Sequence, residues 1–379
     1  MNVKSDPVAP INWPTVGMFV VTALICVTIV PWYGLTYGYS KAAWIAMLVV
    51  LTTNEMAITC GYHRLFAHGA YTAHRALRLV YLLFGAMAIQ NSALVWAAGH
   101  RVHHKFIDDV DRDPYCAKRG FWFSHLGWMV RNYPAGDPDF SYVRDLERDP
   151  LVAWQHRNYW TITLSMNFLV PMAIGWAVGD FWGVFWLAGF LRLVLSHHLT
   201  FLINSAAHYI GTQPYTVENT ARDNGLIAVL TFGEGYHNFH HLFAQDYRNG
   251  VRWWQWDPSK WFIRLMSWVG LAHNLRRVPW FKIQRARVQA QFARAELNLG
   301  RVSDGETLAH FKARLSEEYA SFQRVVAHWQ SVRSQFMVDA RHTVHDSWER
   351  WTLQTQIKEM EQALRQQMGR MRELCAEIG

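Results

Sequence analysis

The sequence predicts an all-α membrane protein, a four-span transmembrane helical bundle with a helical C-terminal extension. Three observations predict it. First, 51% of the residues are hydrophobic and only 17% charged, with 20 Trp, 15 Tyr and 21 Phe in 379 residues; an ordinary soluble chain is less apolar and less aromatic. Second, four stretches are long enough to cross a hydrocarbon core of about 30 Å, which takes about 20 mostly apolar residues. Third, from Lys282 the composition changes abruptly to Arg, Gln, Glu and Ala. The reading is therefore an integral-membrane domain over 1–282 and an amphipathic helical region over 283–379.

The first two spans are Thr15 to Leu35 and Ala42 to Cys60, joined by a short corner at Thr36 to Lys41. The first lacks a small-residue cleavage site and a second span follows at once, so it reads as a span and not as a signal peptide. Ala76 to Trp96 is nearly long enough to cross, but Gln90 and Asn91 suit lipid poorly. It is expected to be helical structure lying in the interface or packed on the spans. Spans three and four, Tyr159 to Val178 and Phe181 to Ala207, turn at Gly179-Asp180. The two corners carry one Lys and no Arg between them, whereas Gly61 to Asn158 and the tail are rich in both. Basic residues mark the cytoplasmic side, which places the N-terminus, the central segment and the C-terminus in the cytoplasm. In the tail, Gly300 and the Ser303-Asp-Gly-Glu306 capping box mark a break and a restart. Leu353, Ile357, Met360, Leu364, Met371, Leu374 and Ile378 follow a/d spacing with a gap at Gln367, an apolar stripe that needs a partner. A hairpin folded on itself or on the rest of the protein is expected first, a homodimer second and a docked redox partner third.

Ten positions fall into four short groups of metal-binding type: His63 and His68; His100, His103 and His104; Asn204 and His208; His237, His240 and His241. Nine histidines exceed the roughly six ligands of one first-row ion, so they imply two metals or a mixture of ligands and supporting groups. Two groups share the spacing H-x-x-H-H, which on a helix sets all three rings in one stripe, aimed at one neighbour. His63 and His68 are about 140° apart on an ideal α-helix; they are expected to straddle a helix end and to serve different metals. On the predicted topology all four groups meet at the cytoplasmic face. His197 and His198 read as intramembrane hydrogen-bonding groups, and His125 is unassigned. Glu234-Gly-Tyr-His237 matches the Glu-x-x-His of soluble diiron bundles, but it has no second copy and Gly235 weakens a helix there, so Glu234 reads as coincidence.

Other chemistries are disfavoured. Cys26, Cys60, Cys116 and Cys375 have no paired spacing, which suggests neither a disulfide framework nor a thiolate site. The net charge of +8 fits a basic rim facing anionic head groups or an acidic partner, or plain positive-inside bias; no nucleic-acid reader motif accompanies it. Metal transport would need ionisable residues along a path through the bilayer, whereas the spans hold chiefly Glu55 and Arg192.

The ordered series H-R-L-F-A-H, H-R-V-H-H-K, N-S-A-A-H and G-E-G-Y-H-N-F-H-H, followed by Asp246-Tyr-Arg-Asn-Gly250, resembles the membrane-bound fatty acyl-CoA desaturases of the stearoyl-CoA (delta-9) type, particularly bacterial members. The likeness runs from about Ile11 to Phe281. It implies a cytoplasmic helical cap holding a histidine-rich dimetal site, with two iron ions on His63, His68, His100, His103, His104, His208, His237, His240 and His241, and Asn204 reaching a metal through a water. The implied reaction is O2-dependent insertion of a cis double bond into a saturated long acyl chain at a bacterial inner membrane. No His-Pro-Gly-Gly haem segment, iron–sulfur cysteine set or dinucleotide fingerprint is visible, so electrons are expected from a separate ferredoxin, rubredoxin or cytochrome b5. Ala98 and Gly99 stand where animal relatives have an Arg and an Asp that help hold coenzyme A, which puts the carrier in doubt. Asn91, Trp96, Lys118 and Arg119 still match positions near the head group, consistent with CoA, acyl carrier protein or a phospholipid. A diiron membrane fatty acid hydroxylase is the rival reading, and a metal-binding or transport protein the more distant one.

Overall fold

The computed structural model describes residues 9–299, 305–339 and parts of 355–377. The first unit holds the described residues up to Thr212 together with Asn219–Arg277. Helix α1 spans Trp13–Thr36 and α2 spans Lys41–Ala67, both long and apolar enough to cross a membrane. Asn12 caps α1 by accepting from the Thr15 amide, and Ser40 caps α2 by accepting from Ala43; each satisfies a backbone donor that a helix start leaves free. The last eleven residues of α2, Ala57–Ala67, wind as a π-helix, so this helix runs past the predicted end at Cys60 and carries His63 with it.

Helix α3 (Arg75–Ala86) packs on that π-helical stretch and on the third span. The approach is close in both directions. A Cβ on Gly61 would lie 2.6 Å from Tyr81 Cβ, and one on Gly85 would lie 2.3 Å from Tyr62 Cε1. Helix α4 (Ala93–Phe106) follows a turn in which Ile89 and Asn91 take positive φ. The apolar stretch Ala76 to Trp96 is thus two helices packed on the spans, with no crossing. Spans α5 (Tyr159–Val178) and α6 (Phe181–Tyr209) complete the set of four among the described residues. Their corner is tied to the first one: Asp180 caps α6 and also accepts from the Ser40 amide at 3.1 Å.

The charged groups inside the spans are internally satisfied. Arg192 donates to Asn54 Oδ1, Asn167 Oδ1 and the Met87 carbonyl, and Ser196 donates to Glu55. They bind the bundle together, as intramembrane polar groups commonly do.

Shorter helices, among them Pro150–Arg157, lead into the third span, and α7 (Gly225–Leu230), α8 (His237–Leu242) and α9 (Pro258–Trp268) follow the fourth, with a two-residue antiparallel pairing of β1 (Thr72–Ala73) and β2 (Ala272–His273). The turn into α8 lies directly on α7. A Cβ on Gly235 would sit 2.1 Å from the Ala228 amide nitrogen and 2.6 Å from the Ile227 carbonyl carbon. Because backbone cannot move aside as a side chain can, Gly235→Ala is expected to destabilise by about 3 kcal/mol, the upper end for overpacking. Thermal unfolding of the purified variant in detergent checks this.

The second unit holds Gln213–Glu218 and the described residues from Val278 on, starting a few residues before the composition change. Helices α10 (Trp280–Leu299) and α11 (Gly305–Asp339) share a core that includes Val288, Phe292, Leu315, Phe322 and Leu374. Gln367 and Arg370 bond Glu318, and Arg314 pairs with Glu377, so described tail residues fold back along α11. The Gly300 break, the Ser303 start of its box and the stripe positions other than Gln367 and Leu374 lie outside the described residues.

Candidate metal centre

Nine histidine rings converge in two adjacent groups: His63, His68, His100, His104 and His240, and then His103, His208, His237 and His241, with one nitrogen of each ring within 4.8 Å of the others in its group. In the first group Nε2 of His63 lies 2.9 Å from Nε2 of His240, Nε2 of His68 lies 2.9 Å from that of His100, and Nε2 of His104 lies 3.0 Å from that of His240. In the second, His241 Nε2 is 3.0 Å from His237 Nε2 and 3.3 Å from His103 Nε2. Two imidazole nitrogens bound to one ion at about 2.1 Å and a right angle stand about 3.0 Å apart. Burial first, and neighbouring histidines second, push His68, His100, His104, His237, His240 and His241 well below the ordinary imidazole pKa. Both causes favour the neutral form of these six rings, the form that ligates.

Local winding explains how the sequence brings them together, and it corrects two expectations. His63 and His68 do straddle a helix end, but they enter the same group. The π-helix closes hydrogen bonds over five residues, as His68 N–H to His63 O at 3.1 Å shows, and so places residues five apart one above the other. The H-x-x-H-H boxes do not aim at one neighbour. His100 and His104 enter the first group and His103 the second; on α8, His237 and His241 enter the second and His240 the first. At about 100° per residue, i and i+4 lie about 40° apart, whereas i+3 and i+4 diverge by about 100°. Each box therefore splits between its adjacent histidines.

The far nitrogens are held by a second set of residues that sequence reading missed. His63 Nδ1 faces Glu234 Oε2 at 2.8 Å and His103 Nδ1 faces Asp113 Oδ1 at 2.8 Å. His208 Nδ1 bonds Thr220 Oγ1 at 2.8 Å, whose hydroxyl donates to Asp108 at 2.6 Å, and His100 Nδ1 meets Tyr115 Oη at 3.1 Å. A ring that donates Nδ1–H to a carboxylate keeps its Nε2 lone pair free and its plane fixed. The Nε2 lone pairs of His63 and His103 then point at other ring nitrogens, and His208 Nε2 is buried without a protein partner. Lone pairs so placed repel unless a cation lies among them, so the donor set fits metal ions.

Glu234 is the hub of this support. It accepts from Arg64 at 2.8 Å and from Asn249 Nδ2 at 2.6 Å besides His63. Burial alone would raise its pKa, but Arg64 and His63 outweigh burial and hold the carboxyl at about 2. Arg64 also pairs with Asp257, which accepts from the Asn249 and Gly250 amides. Glu234 is in neither histidine group, so it does not play the part the Glu-x-x-His spacing would give it; it instead holds His63 on α2. The Asn249-Gly250 part of the 246–250 run is what folds around it.

A cavity of about 620 Å³ runs from the histidines into the bundle. His63, His100, His103 and His237 line it, and so do Asn91, Trp96 and Asn204. Trp96 stacks on His100 with ring centroids 4.8 Å apart, and Tyr159 Oη accepts from the Asn91 amide. The exposed Lys118 and Arg119 are not in its wall; Arg119 lies over the rings of Phe123 and Tyr133, and Arg131 lines the cavity instead. His197 bonds the Ala88 carbonyl, and His198 pairs with His125, which also bonds Ser205. These three lie outside both groups.

A sequence model of the fatty acid desaturase family matches residues 40–297, more than half of the chain and all four histidine groups. This chain belongs to the fatty acid desaturase family. Among its desaturase relatives, acyl-CoA desaturase 1 of Saccharomyces cerevisiae is 42% identical over 254 residues, 67% of this chain and 50% of that one. Stearoyl-CoA desaturase 5 of Homo sapiens is 37% identical over 242 residues, 61% of this chain and 72% of that one. The sn-2 palmitoyl-lipid 9-desaturase of Nostoc is 33% identical over 276 residues, 71% of this chain and 90% of that one. This desaturase-family chain thus spans about half the length of the yeast relatives it matches.

Proposed function

We propose that the protein is an O2-dependent fatty acyl desaturase that places a cis double bond, at the delta-9 position, in a saturated acyl chain carried on CoA or another carrier. The observation that carries this reading is one apolar cavity inside the spans whose wall includes histidines of both groups. The nine histidines hold two iron ions, with Asn204 reaching one through a water. Bound iron, given O2 and two electrons, supplies the oxidising power that an unactivated C–H bond demands and that no side-chain acid or base can offer. The balance is two hydrogens from adjacent methylenes, O2, two electrons and two protons, yielding the alkene and two waters. Electrons come from a separate ferredoxin, rubredoxin or cytochrome b5, and the histidine face is cytoplasmic.

This chain's own residues supply position. Leu193, Phe190 and Phe168 give the chain an apolar bed, and Trp96, stacked on His100, fixes the wall next to the ligand rings. Depth in the cavity then selects which carbon pair faces the histidines. Gly189 has room beside it, since a Cβ there would meet only the Asn167 carbonyl, at 3.9 Å. Gly189→Phe is expected to fill the deep end and shift products toward shorter chains, read from the product length distribution.

The test is the fatty-acid profile of cells expressing the chain against an empty-vector control, with double bonds located by mass spectrometry. New monounsaturated chains support the proposal and give the regiochemistry. Hydroxylated chains would move the assignment to hydroxylation.

A further inference from the structure

Helix α6 packs against α1, α2 and α5, and α1 and α5 each contribute a stripe to the cavity. On α1 Pro14 lines it at the helix start, followed by Thr15, Met18, Phe19 and Thr22, spaced i, i+3, i+4 and i+7. On α5 the buried Tyr159 and Asn167 line it together with Trp160, Leu164 and Phe168, which stand at i, i+4 and i+8, and α6 contributes Gly189, Phe190 and Leu193 at its apolar end. Such spacings keep one helix face turned to one place. Ile58 and Thr59 of α2 and Val95 and Trp96 of α4 line it as well, toward the histidines.

The wall on α5 is not sealed. Trp160 is 66% exposed, Leu164 52% and Phe168 40%, although all three line the cavity; a closed pocket would leave such large side chains mostly covered. They belong to a helix that crosses the bilayer, so what they face is lipid. The other end of the cavity reaches Arg131, Asn132 and Asp137, polar residues outside the spans. The cavity thus has a polar end and an apolar flank.

We propose that the gap between α1 and α5 is a lateral door through which acyl chains of bilayer phospholipids enter the cavity, their head groups staying at the interface near Arg131 and Asn132. This deepens the desaturase reading and rests on it for the fate of the chain. Two observations favour a bilayer lipid as occupant. The flank is apolar and continuous with the lipid-facing surface of the spans. In addition, the basic pair Lys118 and Arg119 stands outside the wall, leaving Arg131 as its one cation among the described residues; a carrier with several phosphates would meet more positive charge.

The test uses the full chain in phosphatidylcholine vesicles doped with a phosphatidylcholine bearing a mid-chain diazirine, with adducts mapped by peptide mass spectrometry after illumination. Adducts are expected on Phe19 or Leu164 at the door and on Phe190 or Leu193 inside. Leu164→Trp, which narrows the gap, is expected to lower the interior adducts several-fold and leave those on the outward-facing Leu169 unchanged. Adducts confined to outward residues such as Val20, Val21 and Leu169 would overturn the door, as would interior labelling indifferent to Leu164→Trp. Interior adducts without new unsaturated fatty acids in cells keep the door and sink the catalytic reading. New unsaturated chains with no interior adducts do the reverse.

Discussion

Replacing His104 with alanine is expected to reduce double-bond formation to background while the protein still inserts in the membrane. The ring sits at the junction of the two groups. Its Nε2 is 3.0 Å from that of His240, and its plane stacks on His241 with centroids 4.2 Å apart. Alanine removes a nitrogen from the first group and the ring surface against which the second group is set, and nothing nearby can replace either. Metal per protein chain, measured on the purified variant beside the parent, should fall to half the parent's or less. The fatty-acid profile should match the empty vector. Full activity with the parent's metal content retained would falsify the ligand assignment.

How much of this was legible in the sequence depends on the range of the physics. The spans were, because about 20 apolar residues carry their own signal; predicted and observed ends of Tyr159–Val178 coincide. The histidine groups were, because their density is local. The π-helix was not. Ala57–Ala67 has no Pro, and its single Gly61 is no signal for a five-residue repeat; the winding is stabilised by what it packs on, notably Tyr81 against Gly61 and the Arg64 network reaching Glu234 and Asp257. The pairing of His63 with Glu234 joins residues about 170 apart, for which spacing rules have no term. The split of each H-x-x-H-H box could have been worked out from helical geometry alone. Treating i, i+3 and i+4 as a single stripe discarded the angle that mattered.

Glu234→Gln is expected to lower iron affinity and turnover together, by about 10- to 100-fold, the range found when an outer partner of a metal-binding histidine is lost. The carboxylate is surrounded by donors: Arg64 on Oε1, and His63 and Asn249 on Oε2. An amide must turn its own N–H2 toward one of these sets, leaving a buried donor facing a donor, a cost of about 1–3 kcal/mol. If it faces His63, the ring loses the acceptor that fixes its tautomer. Arg64 keeps Asp257 as an anionic partner, so the fold should persist. Metal titration followed by turnover at saturating iron separates affinity from rate. A variant that loads and turns over like the parent would show that Glu234 serves only the fold.

The interleaving of the two groups has a consequence for assembly. Helix α4 gives two rings to one group and one to the other, and α8 does the same in the opposite sense. A cation bound at either position would hold rings from both helices, so part of the cost of fixing those rings would already be met at the second arrival. The two binding events would then be linked by a favourable coupling free energy, and linkage makes such a coupling identical in either order. Stepwise titration of the apoprotein should thus give a steep uptake curve with little singly loaded protein. A supply shortage would then leave some molecules complete and others bare, with few holding a single cation.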